Sequence, residues 1–235
     1  MPFNYQGTEL ALFAKATQWK RYWSARIQPH IKGRVLDVGA GVGSNFDYLQ
    51  HSEVTEWCFL EPDEKLLKQI KLRRQQTLTA AVHNGTVSTL PAHKMFDTII
   101  YIDVLEHIRD DHLELVQAAR HLETNGKLLI LSPAHPALFS NFDLSVGHLR
   151  RYTIKTLSKI APKNLGPIDL RYLDSAGWLA SLANRCLLKQ SVPDIRQILF
   201  WDRVMVPISR VLDPLCGYRI GKSILGIWKK SMSAG

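Results

Sequence analysis

Two clusters in this 235-residue chain carry side chains able to do chemistry. His148, Arg150, Arg151 and Tyr152 fall within five residues of one another, and Asp103, Glu106 and His107 fall within another five. Guanidinium groups can hold an anion through forked hydrogen bonds, and imidazole is the natural acceptor of a proton near neutral pH. A third feature is a cradle for a ligand. Asp37-Val38-Gly39-Ala40-Gly41-Val42-Gly43 follows the apolar pair Val35-Leu36 and reads as a strand, a tight glycine turn and a helix start, where backbone can approach a ligand that a Cβ would repel. Glu61-Pro62-Asp63, closing the next expected strand, places an acid where it can accept hydrogen bonds from both hydroxyls of a ribose. Together these features describe a nucleoside pocket.

The glycine spacing narrows the nucleoside. A dinucleotide fingerprint is G-x-G-x-x-G, whereas here the third glycine comes one residue early and Ser44 stands in its place. Asp37 is a poor neighbour for a diphosphate and a good one for an ammonium or sulfonium group. The pattern resembles motif I of the class I S-adenosylmethionine-dependent methyltransferases, with Glu61 at the place of that family's ribose-binding acid. The run Phe96–Ile108 is similar to the same family's fourth motif. A nicotinamide-dependent dehydrogenase is the competing enzyme, and Ser44 with the absence of a Tyr-x-x-x-Lys pair counts against it.

The resemblance implies a site. S-adenosyl-L-methionine would be the cofactor, held by Asp37, Gly39, Ala40, Gly41, Gly43, Glu61 and Pro62, by Thr86 and Val87 near adenine, and by Asp103 and Val104 at the methionine end. Transfer from a sulfonium leaves the protein to align the acceptor, exclude water and remove a proton, so His148 is the first candidate base, with Asp103 second and His135 third. Arg150, Arg151 and Tyr152 would bind the acceptor, Arg150 and Arg151 by orienting an anionic group. The other reading of this loop, which resembles a G-H-x-R-R-Y-T stretch of bacterial methyltransferases acting in cell-envelope glycan or natural-product pathways, pairs Arg151 with Asp143 and packs Tyr152 on the core. No metal is expected. The alternative is a divalent ion on Asp103, Glu106 and His107, with His135 or His148 as fourth ligand, since some metal-binding O-methyltransferases bear a similar Glu-x-x-Glu-His here. In the metal-free reading Glu106 and His107 begin a helix.

These residues need a parallel sheet to collect them. Strand-like runs at Arg34–Val38, Trp57–Leu60, Thr79–Val82, Thr98–Ile102 and Lys127–Leu131 alternate with helical stretches at Asn45–Leu49, Glu64–Gln76 and Asp111–Leu122. Repeated βα units predict an α/β, Rossmann-like fold with helices on both faces, and the resemblance implies a mostly parallel seven-stranded sheet. The chain reads as one domain: N-terminal helices in 1–30 (apolar pattern Thr8–Gln28), a core in 31–174 that ends with a helix Ile154–Ile160 and a strand Ile168–Leu173, a helical insertion or cap in 175–222 (Ala176–Leu188 and Ile195–Ile208), and a last strand and tail in 223–235.

Composition bounds the partners. Cys58, Cys186 and Cys216 make no disulfide framework or zinc motif, which points to a reducing cytoplasm, and no stretch approaches 18 apolar residues. The net charge of +9 is uneven: residues 145–235 hold 15 Lys and Arg against 5 Asp and Glu, whereas residues 1–144 hold 15 against 16. The last third is therefore suited to an anionic partner. A small-molecule or lipid-linked acceptor is expected, with peripheral membrane contact through Trp201, Trp228 and their basic neighbours as a further reading. An RNA methyltransferase is the other alternative, disfavoured because the basic residues are interleaved with long apolar helices.

Overall fold

The computed structural model describes residues 13–73, 80–183 and 194–231. Its centre is a seven-stranded sheet in the order β3-β2-β1-β4-β5-β7-β6. The strands are β1 Gly33–Val38, β2 Val54–Glu61, β3 Ala80–Asn84, β4 Phe96–Ile102, β5 Leu122–Pro133, β6 Leu165–Leu173 and β7 Ser223–Lys230. β1 to β5 pair in parallel, and β7 enters antiparallel between β5 and β6. This is the mixed, Rossmann-like sheet that the alternating pattern implied.

The central strands are apolar on consecutive residues because both their faces are covered. Leu36, Ile99, Tyr101, Leu128 and Ile130 meet α4 (Asp111–Arg120) and α6 (Ile154–Ile160) on one side. Val35, Ile100, Leu129 and Leu131 meet Trp23 and Ile27 of α1 (Thr17–Ile27) on the other. Two shorter helices, α2 (Phe46–Leu49) and α5 (Asn141–Ser145), and the ten-residue α3 (Glu64–Arg73) complete the core. Strand order reverses between β1 and β4, and the carboxyl ends there form the crevice where such sheets bind ligands. The glycine turn, Glu61, Asp103 and Pro133 all follow or close strands at this edge.

Some boundaries differ from expectation. Leu122 opens β5 instead of closing a helix, because its backbone pairs with Phe96 and its side chain is buried in the core. The expected elements at Thr8, Gln76, Thr79 and Leu188 run into residues outside those described. The two tryptophans assigned to a membrane face are turned inward: Trp228 is buried in β7, and Trp201 donates from Nε1 to Asp174 Oδ2 at 2.7 Å.

Between β6 and β7 lie α7 (Ser175–Ala183), α8 (Ile195–Phe200), a π-helical turn at Trp201–Met205 and α9 (Val206–Leu215). Buried carboxylates fasten this insertion to α1. Asp202 accepts from the amides of Gln18 and Trp19, at 3.2 and 2.8 Å. Asp213 accepts from Tyr22 Oη at 2.7 Å and from the amides of Asp174 and Ser175 at 2.7 and 2.9 Å. Asp213→Ala would strand three buried donors at once, so we expect a loss of about 3 kcal/mol or more in a urea unfolding titration. An unchanged midpoint would mean that water replaces the carboxylate without cost.

Candidate active site

At the strand ends lies a cavity of about 480 Å³, within the range of small-molecule pockets of roughly 300–1,000 Å³. Its floor is the glycine turn. Gly39 has φ +62°, and a Cβ there would sit 2.7 Å from Val104 Cγ1, so the turn depends on glycine for both backbone and space. Glu61, at the end of β2, accepts from the amides of Gly41 and Asp63 at 2.8 and 2.9 Å. Burial raises its carboxyl group above the ordinary range, and those two amides oppose the shift. Ala40, Gly41, Pro62 and Thr86 also line the space, together with Asp103 and Val104.

Other expected cofactor residues stand one layer back. Asp37 is fully buried, accepts from Asn45 Nδ2 at 3.0 Å and is not part of the cavity wall. Gly43 is also off the wall; a Cβ there would meet Phe59 and Ile70 at 3.3 and 3.4 Å, so the residue serves close packing. Val87 is buried in the core, its side chain taken up by hydrophobic neighbours.

At the methionine end the backbone is unusual. Asp103 has φ +54°, a conformation rare outside glycine, and it turns its carboxylate to the cavity. The surrounding protein raises its pKa to about 6, chiefly by desolvation, against the attraction of His148, Lys222 and Lys20.

A hydrogen-bonded cluster is assembled around Asp143, which is fully buried. Arg151 grips it with both nitrogens, Nε to Oδ1 at 2.8 Å and Nη2 to Oδ2 at 2.9 Å. The amide and hydroxyl of Ser140 donate to Oδ2 at 2.8 and 3.0 Å, and His148 Nδ1 lies 2.8 Å from Oδ1. Burial alone would raise this carboxyl; the bonds from His148 and Arg151 instead hold it well below the carboxylate range. An ionised carboxylate only accepts, so His148 Nδ1 must carry the hydrogen and the neutral ring keeps its free lone pair on Nε2. His148 lines the cavity, and Nε2 lies 3.8 Å from Glu106 Oε1.

Glu106 is fully buried on the 3-10 turn Leu105–His107. Ser132 Oγ donates to its Oε2 at 2.9 Å, while Oε1 has no hydrogen-bond partner. Burial first, then the charge of Asp103, pushes its pKa far above the usual range. His107 is lowered to about 4 by burial and by His148, whose ring centroid is 4.7 Å away. Glu106, His107 and His148 each offer one ligand atom within 4.8 Å of the others. This grouping has His148 where the sequence reading of a metal site placed Asp103.

Three other expected site residues are elsewhere. Arg150 pairs with Asp111 at 2.6 Å and donates to the Arg109 carbonyl, away from the cavity wall. Tyr152 is buried, its hydroxyl donating to Asp111 Oδ2 at 2.8 Å. His135 stacks on Tyr172 with ring centroids 4.6 Å apart and is not in the wall. Arg151 lines the cavity, but Asp143 already neutralises it. The anion clamp and the third candidate base are thus corrected to supports of the loop. Conversely, Trp19, Lys20 and Trp23 of α1, Phe142 of α5, Trp201 and Lys222 join the wall from distant parts of the sequence. The aromatic density of residues 13–23 and the reading of Ile195–Ile208, which contains Trp201, as a cap were the signals for this.

The donor set suits S-adenosylmethionine: a fixed acid at the sugar position, a glycine floor, and a carboxylate beside the methionine end. The family profile described as a methyltransferase domain matches residues 12–166. A tRNA U34 carboxymethyltransferase of Pseudoalteromonas translucida is 30% identical over 136 residues, covering 55% of this chain and 41% of that protein. A demethylmenaquinone methyltransferase of Tropheryma whipplei is 26% identical over 137 residues, covering 57% and 56%. The chain thus spans about half or less of the length of these relatives. The N-methyltransferase NodS of Bradyrhizobium japonicum, solved with S-adenosyl-L-homocysteine, shares the fold with a TM-score of 0.59 at 10% identity, over 93% of this chain and 89% of that one. With the matched profile spanning the glycine turn, Glu61, Asp103 and His148, the chain belongs to the class I S-adenosylmethionine-dependent methyltransferases.

Proposed function

We propose that this methyltransferase acts on a small-molecule or lipid-linked acceptor whose reacting hydroxyl or acidic carbon loses its proton to His148. The observation that carries the reading is the Asp143–His148 pair opening into the cavity whose far end is built for adenosine. Bound S-adenosylmethionine supplies a methyl group already activated on sulfonium. The chain's task is alignment: the acceptor atom must lie about 3 Å from the methyl carbon, opposite the sulfur. Transfer would make the bond from the acceptor to the methyl carbon as the carbon–sulfur bond is given up, with the electron pair left on sulfur. The acceptor's proton passes to His148 Nε2, and Asp143, held by Arg151 and Ser140, balances the imidazolium. Trp19, Trp23 and Trp201 exclude water from the space.

Two alternatives have one observation each. The ligand grouping of Glu106, His107 and His148 would suit a metal that polarises a hydroxyl, and the tRNA-modifying relative together with the basic last third would suit RNA. Incubation with methyl-labelled S-adenosylmethionine and an extract of the chain's own cells separates them. Label should enter a nuclease-resistant small or lipid-phase product, and transfer should survive a chelator. Label lost to ribonuclease would sink the small-molecule reading, and loss with a chelator that zinc or magnesium restores would replace the histidine base by a metal.

A further inference from the structure

The insertion between β6 and β7 turns an apolar stripe outward. Along α8, the π-helical turn and α9, Phe200, Val204, Ile208, Val211 and Leu215 follow at intervals of three and four residues, and each is 42–78% exposed. The buried side of the same helices carries Asp202, Ser209 and Asp213 beside Ile198 and Val206. A helix that met only water would show the reverse distribution. α7, which packs against α9, adds exposed Leu179 and Leu182 and has no charged side chain.

Charge selects what this face meets. Arg196 lies one turn before Phe200, Arg203 is next to Val204 and Arg219 follows α9, and all three are exposed. Both carboxylates within the helices are spent internally, on α1 and on the amides of Asp174 and Ser175, so the one exposed acid among the described residues from 194 to 220 is Asp194 before α8. An aliphatic stripe bordered by arginines, on the third of the chain that holds the positive excess, complements acyl chains beneath anionic headgroups. A second copy would set like charge against like. A nucleic acid would leave the aliphatic side chains without a partner.

We propose that this face seats the chain on an anionic lipid bilayer, with the apolar side chains at headgroup depth and no helix crossing. Among the described residues no helix is long and apolar enough to span. Trp201, adjacent to Phe200 on the same helix, is part of the cavity wall, so seating brings the cavity and the lipid surface to one helix.

The test is sedimentation of the full chain with vesicles of phosphatidylcholine alone and of phosphatidylcholine with about one-third phosphatidylglycerol. Binding should be about tenfold or more stronger on the anionic vesicles and should fall with salt. Val211→Glu with Leu215→Glu should lower it about tenfold, and Arg196→Gln with Arg203→Gln should remove the preference for anionic lipid. These side chains are exposed, so the thermal midpoint and S-adenosylmethionine affinity by calorimetry should be unchanged, which keeps this test separate from that of the methyl-transfer reading. Absence of binding, or equal binding by the variants, would overturn the proposal. A wild-type dimer that Val211→Glu with Leu215→Glu converts to monomer would overturn it too, by giving the face to a second copy.

Discussion

Replacing His148 with alanine is expected to lower turnover about 10²–10⁴-fold, the range of a lost general base, while S-adenosylmethionine affinity stays nearly the same. On the proposed reading the two effects separate, because His148 would meet the acceptor and Glu61 the sugar from different parts of the cavity wall. Alanine also removes one of the hydrogen bonds to Asp143, but Arg151 and Ser140 still satisfy that carboxylate, so the loop should keep its place. His148→Asn is the sharper variant. Its amide can still donate to Asp143 Oδ1 yet cannot accept a proton near neutral pH, and it should be as slow as alanine. If asparagine restores turnover, His148 only positions the loop. If both variants lose cofactor binding in proportion to turnover, the residue is structural and the base lies elsewhere, with Asp103 next in line.

Glu61→Ala should weaken S-adenosylmethionine by about 1.5–3 kcal/mol, roughly tenfold to 150-fold in Kd. That is the range of a hydrogen bond to a charged group. The carboxylate also holds the Gly41 and Asp63 amides, so part of the loss would come from loosening the glycine turn. Glu61→Gln divides the two contributions: its carbonyl can keep one amide, and its affinity should fall between wild type and alanine. Calorimetry with the cofactor and with S-adenosylhomocysteine reads both variants. Unchanged affinity in each would remove the ribose from this end of the cavity.

The sheet and the glycine turn after β1 were legible because their signals are local. Glycines at 39, 41 and 43 after an apolar strand, and an acid closing the next strand, follow from short-range rules of turn and register. The acceptor side was read less well. Arg150, Tyr152 and His135 have side chains suited to binding, but Asp111 and Tyr172, distant in sequence, absorb them. Arg151 has the same fate within its own loop, where Asp143 was the visible alternative partner. Lys20 and Lys222 went unnoticed since nothing around either in the chain marks a ligand; only folding brings them near Asp103. Residue type pointed to the carboxyl ends of β4 and β5, while long-range pairing decides which of those side chains reach the cavity.

The carboxylates of Asp202 and Asp213 reach back 183 to 191 positions to grip α1, whose tryptophans wall the cofactor cavity. During synthesis, that wall can be set only after the ribosome has made residue 213. A nascent chain stalled before that point is expected to have its glycine turn and central strands in order and yet to capture little cofactor.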